Sequence, residues 1–351
     1  MRIGIVNDSV MAREALRRVV ASADGLQVAW TARDGAEGVR MVRADRPDLV
    51  LMDLFMPEMD GVESTRRIMK ETPCPILVVT ATVSGQIDKV YQAMGFGALD
   101  AVDTPVLKPC GACSGGGDLL RKIETIGKLI GKYQPCRESW APPARPPASL
   151  GGAPLLVVGA STGGPFAVAE ILKGLPRGWD VATVIVQHVD AFFVAGLAGW
   201  LSEHSDRRVV LAREGDLPTP GQTFLAATDD HLVLSGDGRL RYSAEPRSAC
   251  YRPSVDVFFQ SVARHWPGPG AAALLTGMGR DGAEGLLALH RRGWLTIAQD
   301  EATSVVWGMP RAAVERGAAE LVLPLGRIAD AIARGFLAAD PTGAQTQAPR
   351  R

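Results

Sequence analysis

The chain has 351 residues, 46% of them hydrophobic and 22% charged, and its 38 basic and 38 acidic side chains leave no net charge. That length suits roughly two domains, and the even charge provides no basic field for nucleic acid or an anionic membrane surface. No apolar run reaches the roughly 18–20 residues a membrane span needs, and the odd number of cysteines, five, argues against a disulfide framework.

The first residues, Met1-Arg2-Ile3-Gly4-Ile5-Val6-Asn7-Asp8, read as a short strand closing on a polar pair rather than a secretory signal, so a cytoplasmic chain is expected. Apolar strands are predicted over 2–6, 27–31, 49–52, 76–79 and 99–102. They alternate with amphipathic helices over 9–22, 36–45, 61–71, 85–95 and 118–133. That alternation predicts a five-stranded parallel sheet, doubly wound and flavodoxin-like, whose site lies beyond the carboxyl ends of the strands. Residues 134–152, rich in proline and alanine and without periodicity, read as an extended linker, with the preceding helix able to run on into it. A second α/β unit, doubly wound and Rossmann-like, is predicted over 153–340. Its strands fall at 155–158, 183–187, 208–212, 223–226, 271–275 and 294–298, and 341–351 read as a disordered tail.

In the first unit, acids fall at strand ends. Asp8 follows the first strand, Asp53 the third and Thr80 closes the fourth. The carboxyl ends of neighbouring parallel strands cluster, so Asp8 and Asp53 can share a hard cation through oxygen ligands. A carboxylate beside Mg²⁺ can accept a phosphoryl group, and the Thr80 hydroxyl can then bond its oxygens. The run Asp53-Leu54-Phe55-Met56-Pro57-Glu58-Met59-Asp60-Gly61, with Thr80-Ala81, resembles response-regulator receivers across 1–133. The resemblance implies Asp53 as phospho-acceptor and Asp8, Asp53 and the Phe55 carbonyl as Mg²⁺ ligands. Two positions depart from that family. Asn7 stands where a second acid is usual, which keeps an oxygen ligand but removes a charge. Thr104 stands where a lysine is usual, and Lys108 could reach that place only through a loop excursion.

In the second unit, Leu155-Leu156-Val157-Val158 runs into Gly159-Ala160-Ser161-Thr162-Gly163, a Gly-x-Ser-x-Gly turn that presents a serine at the end of a strand beside helix amides. Such turns also cradle phosphates. Asp180, roughly 20 residues on, imitates a ribose-binding acid, but a full Gly-x-Gly-x-x-Gly is missing. A serine nucleophile needs a base and an orienting acid. His188 ends a predicted strand. His204 lies in a polar segment, His265 and His290 in helices, and His231 in a turn from which it could line the cleft without catalysing. The acids are Asp190, Asp256 and Asp281. Asp190 is too near His188 in sequence, and Asp256 suits a surface or capping place. Asp281 sits in a glycine-rich turn whose N–H groups could build an oxyanion hole. Cys110-Gly111-Ala112-Cys113 has metal or redox spacing but no second pair, and reads as structural.

Together with Tyr251-Arg252-Pro253-Ser254-Val255-Asp256, Thr276-Gly277-Met278-Gly279-Arg280-Asp281-Gly282 and the stretch 298–310, this half resembles the protein-glutamate methylesterases of chemosensory systems, the CheB family. The resemblance implies Ser161 as nucleophile, His188 as base then acid, Asp281 as the group fixing the His188 tautomer, the Met278 N–H as oxyanion donor and Thr162 beside the nucleophile. It implies Mg²⁺ in the receiver and no cofactor in the catalytic half. As partners it implies methyl-accepting chemoreceptor helices and a chemosensory histidine kinase, with no nucleic acid, no membrane insertion and a monomeric chain. Phosphorylation of Asp53 would govern hydrolysis of glutamate γ-methyl esters and, as in some relatives, deamidation of glutamine. The Asn7-Asp8 start and the Val102-Asp103-Thr104-Pro105 ending look more like the Wsp-type branch than flagellar chemotaxis. A silent docking domain, a nucleotide-binding output domain and an unrelated serine esterase or peptidase are the competing readings.

Overall fold

The structure, a computed structural model, describes residues 1–80, 87–107, 113–131, 153–247, 249 and 251–339. The predicted linker, the predicted tail, Lys108 and Cys110 lie outside the described residues. Two compact units each carry their own sheet and core.

In the first unit, β1 (Arg2–Val6), α1 (Val10–Ala21), β2 (Gln27–Ala32), α2 (Gly35–Ala44), β3 (Leu49–Met52), α3 (Gly61–Glu71), β4 (Ile76–Thr80), α4 (Ile87–Gly95), β5 (Asp100–Asp103), β6 (Val106–Leu107), β7 (Cys113–Ser114) and α5 (Gly116–Gly131) follow in order. The expected parallel sheet forms in the order β2-β1-β3-β4-β5. β3 and β4 are buried along their whole length because helices cover both faces, which is why their sequences are unbroken apolar runs rather than alternating ones. Side chains set the helix starts: Ser9 accepts from Ala12 N–H, Asp34 from Glu37 N–H and Asp60 from Glu63 N–H. The chain leaves β1 for β2 on one side and returns to β3 on the other, so the switch point lies where Asn7, Asp8 and Asp53 emerge. The short antiparallel pair β6–β7 was not predicted. Two-residue strands are below what periodicity can register.

The second unit runs β8 (Leu155–Ala160), α6 (Gly164–Gly174), β9 (Ala182–Gln187), α7 (Ala191–Ser205), β10 (Val209–Leu211), β11 (Thr223–Leu225), β12 (His231–Leu234), β13 (Leu240–Ser243), α8 (Val255–His265), β14 (Gly270–Leu274), α9 (Ala283–Arg291), β15 (Leu295–Gln299), α10 (Met309–Glu315), β16 (Leu321–Leu323) and α11 (Leu325–Ala339). Seven parallel strands lie in the order β10-β11-β9-β8-β14-β15-β16. β8 is central, and the chain moves outward from it in one direction before returning to β14 on its other side. That again sets a switch point at a strand's carboxyl end. Two features were not predicted. The edge strand β16 is only half-buried along three residues, and β12 and β13 form a separate antiparallel hairpin. The hairpin is held from within, since Leu232, Leu234 and Leu240 share a core with Phe258 and Val262 of α8. Among the described residues no helix is long and apolar enough to cross a membrane.

Candidate active site

β8 ends at Ala160, and the turn into α6 passes through Ser161, Thr162 and Gly163. Gly163 has φ +77°, the left-handed region glycine enters without penalty. Gly164 N–H donates to the Ser161 carbonyl at 2.8 Å and closes the turn. β9 pairs in parallel with β8, Ala160 opposite Gln187, and His188 N–H donates to the Ala160 carbonyl at 3.0 Å. Ser161 and His188 therefore leave adjacent strands at the same rim, and Asp281 arrives from β14, the strand on the other side of β8.

Asp281 is the most heavily bonded acid here. Its Oδ2 accepts from His188 Nε2 at 2.7 Å and from Val255 N–H at 2.6 Å. Its Oδ1 accepts from the Ser254 hydroxyl at 2.7 Å and from Asp256 N–H at 3.1 Å. Burial would raise this carboxyl, but His188, Ser254 and the Val255 N–H outweigh it and hold it below the ordinary carboxylate value. Pro253-Ser254 starts α8, Ser254 capping it by accepting from Val257 N–H at 3.3 Å, so Asp281 lies at a helix N-terminus where the dipole favours an anion. The buried Nδ1 of His188 has no hydrogen-bond partner among the described residues, and with Nε2–H donating to the Asp281 carboxylate, Nδ1 is left with the lone pair.

The loop carrying Met278 is tied to the end of β15 and to the segment that leads into α10. Thr276 N–H donates to Gln299 Oε1 at 2.8 Å, Gly277 N–H to the Val306 carbonyl at 3.0 Å, and Gly308 and Met309 N–H both donate to the Gly277 carbonyl. This rigidity is what an oxyanion donor requires.

Three further residues touch this group without having been singled out as site residues. Tyr251 stacks on His188, ring centroids 4.2 Å apart and planes 7° apart. Ser254 holds Asp281, and the Pro-Ser helix start was the available signal for it. His231 was expected in a turn lining the cleft. It instead opens β12, is fully buried, lies within 3.2 Å of the Pro246 carbonyl through Nε2 and accepts from Ser254 N–H at 3.1 Å through Nδ1. The hairpin packing on α8 carries it inside. Asp256, expected at the surface or as a cap, does cap α9, accepting from Gly285 N–H at 2.7 Å, but it is not a surface group. Burial and the charge of Asp281 push it up to about 7. His204 stacks on Trp200 and His290 bonds Thr296, both away from this rim.

In the first unit, Asp53 follows β3, beside Asn7 and Asp8 at the end of β1. Its Oδ1 accepts from Leu54 N–H at 2.7 Å and Phe55 N–H at 3.4 Å. Burial pushes Asp53 up to about 6, with the two amides drawing it down and the Asp8 charge raising it. Asn7 does not offer its oxygen as expected. Its Oδ1 accepts from Ser9 N–H at 2.8 Å, and its Nδ2 donates to Asp53 Oδ2 at 2.8 Å. The backbone turn after β1 takes the oxygen and leaves the amide for the carboxylate. Thr80 closes β4, and Thr104 N–H donates to its carbonyl at 3.0 Å, while the buried Thr104 hydroxyl has no partner among the described residues. Asp8, Asp53 and the Phe55 carbonyl are hard-oxygen donors, and a divalent cation would offset the burial that chiefly raises Asp53 as well as the Asp8 charge beside it, so these residue types fit Mg²⁺.

Residues 156–332 match the family described as CheB methylesterase, and residues 3–110 match the response regulator receiver domain. A protein-glutamate methylesterase/protein-glutamine glutaminase of Pseudomonas aeruginosa is 51% identical over 96% of this chain and 100% of its own length. One of Burkholderia lata is 53% identical over 95% of this chain and 98% of its own. Among solved structures, the CheB methylesterase catalytic domain of Thermotoga maritima is 34% identical, covers 52% of this chain and 98% of its own, and superposes with a TM-score of 0.49.

Proposed function

The chain belongs to the CheB methylesterase family and carries a response regulator receiver domain, and from that premise we propose that Ser161, His188 and Asp281 hydrolyse glutamate γ-methyl esters on the cytoplasmic helices of chemoreceptors. The observation that carries the reading is the His188–Asp281 bond of 2.7 Å at the rim where Ser161 leaves β8. Ser161 Oγ attacks the ester carbonyl as His188 Nδ1 takes its proton. Asp281 keeps the opposite nitrogen protonated and stabilises the imidazolium. The Met278 N–H donates to the oxyanion, with Thr162 alongside the nucleophile. His188 then returns the proton to departing methanol. It next takes a proton from the water that attacks the acyl-enzyme and gives it to Ser161 Oγ as the acyl bond breaks, which frees glutamate and restores the serine. With glutamine the same steps release ammonia.

Asp53 serves as the phospho-acceptor for a chemosensory histidine kinase, and Thr80 bonds the phosphoryl oxygens. Asp8, Asp53 and the Phe55 carbonyl would hold Mg²⁺, which when bound neutralises phosphoryl charge. We divide the chain into a receiver over 1–133 and a catalytic domain over 153–340, and place it on the cytoplasmic side with its receptors. The Asn7-Asp8 start and the Asp103-Thr104-Pro105 ending favour the Wsp-type branch.

The test is methanol release from a methyl-esterified receptor cytoplasmic domain. The wild-type chain is expected to release it and S161A to release none above the uncatalysed rate; an S161A chain that keeps the wild-type rate would refute the assignment of the nucleophile.

A further inference from the structure

Tyr251 lies face-on over the imidazole that serves as base. The ring centroids are 4.2 Å apart and the planes nearly parallel, and the His188 side chain is only 9% exposed. The same phenol reaches the oxyanion loop, its hydroxyl lying 3.4 Å from the Met278 carbonyl. The loop is shaped to admit it. Gly279 has φ +84°, and a Cβ there would stand 2.5 Å from the Tyr251 hydroxyl oxygen. Backbone conformation and space both require glycine at the point where the tyrosine enters. One side chain thus joins the base to the strand-end loop that faces the developing oxyanion.

A ring face over a neutral imidazole contributes modest stacking, whereas over an imidazolium it also attracts a cation through its quadrupole. The contact therefore strengthens when Ser161 Oγ passes its proton to His188 Nδ1 and weakens when that proton leaves on methanol. An interaction stronger in the charged state than in the ground state accelerates the reaction rather than merely tightening binding. The phenol proton takes no part in the transfer and remains on Tyr251.

We infer that Tyr251 is a positioning residue for the esterase reaction: its ring fixes the plane of His188, so that Nδ1 meets the nucleophile while Nε2 stays on Asp281, and it stabilises the imidazolium formed in both halves of the reaction. The inference rests on the esterase reading above, so its test uses two substrates with the full-length chain. Methanol release from the methyl-esterified receptor domain reads the whole reaction. Nitrophenolate release from p-nitrophenyl acetate reads acylation of Ser161 without receptor recognition.

Y251L is expected to lower kcat about tenfold on both substrates, the worth of a cation–π contact, with KM within about twofold of wild type. Y251F, which keeps the ring and loses the hydroxyl, is expected to retain wild-type kcat within about threefold. Both variants should melt as wild type does. Should Y251L lose its cooperative transition, Y251M provides similar bulk without a ring face. Wild-type rates in the ring-less variant overturn the inference. So does a change confined to KM, and so does Y251F falling as far as Y251L, since the hydroxyl rather than the ring would then matter. A wild-type chain active on the acetate but inert on the receptor ester refutes the receptor assignment alone, and the tyrosine comparison still decides the inference. A wild-type chain inert to both overturns the reading and the inference together.

Discussion

Asn7 shows how one atom's orientation changes the chemistry of a site. Its amide nitrogen donates to Asp53 while its oxygen is taken by Ser9 N–H, so it acts on the phospho-acceptor as a donor and not as a ligand. An aspartate in its place would bring a third negative charge to a pocket where burial and Asp8 already raise Asp53 to about 6. N7D is therefore expected to do two opposite things. It should lower the melting temperature of the metal-free chain by a few degrees, because a donor becomes a like charge. It should also tighten Mg²⁺ binding about tenfold by isothermal titration calorimetry, because a third hard oxygen charge joins the cation's ligands. Equal Mg²⁺ affinity in the two chains would show that Asn7 contributes as much as an acid does, against the orientation seen here.

At the scale of elements, the active site is built where two helices begin beside two acids. α8 starts at Ser254 and presents N–H groups to Asp281, and α9 starts beside Asp256, which accepts from Gly285 N–H. The two carboxylates share one burial site and one of them keeps the charge. His188, Ser254 and the α8 amides hold Asp281 low, while burial and that neighbouring charge lift Asp256 to about 7. The sign for stability follows from linkage. Asp256 binds its proton more tightly folded than unfolded, so its contribution is fully present below its ordinary value of 3.8 and is lost as pH rises to about 7. The wild type should therefore lose stability relative to D256N across roughly pH 4 to 7, on the order of 1 kcal/mol per pH unit, and run parallel to it above. The amide introduced by D256N keeps an oxygen for Gly285 N–H, so the cap survives. Urea unfolding at pH 5 and pH 7.5 measures the difference, and parallel curves throughout would show that Asp256 carries no such strain. Asp281 has the opposite sign: its contribution is present above the ordinary carboxylate value and lost as pH falls through its lowered one. Much of this arrangement was legible in the sequence, because strand ends in a doubly wound sheet are marked by an apolar run meeting glycine or a polar residue, as at Ser161, His188, Asp53 and Thr80. What was not legible depended on contacts distant in sequence. Nothing local to Thr228-Asp229-Asp230-His231 shows that Leu232 and Leu234 will pack under α8 and draw the histidine inside. Nor does Tyr251 alone announce a stack on a residue 63 positions earlier. The side on which Asn7 turns its amide is decided by Ser9 N–H, not by composition.

At the scale of the whole molecule, the chain holds two parallel sheets, each with its site at the carboxyl ends beside its own switch point, and function requires the state of one to alter the rate at the other. The receiver matches a family in which that control is phosphorylation, and the physical question is how large a change the phosphoryl group can drive here. It adds nearly two negative charges at Asp53. In the proposed reading Thr80 donates to its oxygens, and Thr104 brings no cation where the family it resembles has a lysine. An equilibrium shifts only by the difference in stabilisation between its two states. With Thr104 rather than a lysine at that position, that difference should be worth about 1 kcal/mol, a several-fold change rather than a hundredfold one. Purified chain given a small-molecule phosphodonor should accordingly release methanol from methyl-esterified receptor several-fold faster than without it. D53A should stay at the basal rate under both conditions, and T104K, which restores the cation, should respond more strongly than wild type. A wild-type rate indifferent to phosphodonor, with T104K equally indifferent, would leave the esterase in place and remove Asp53 from its control.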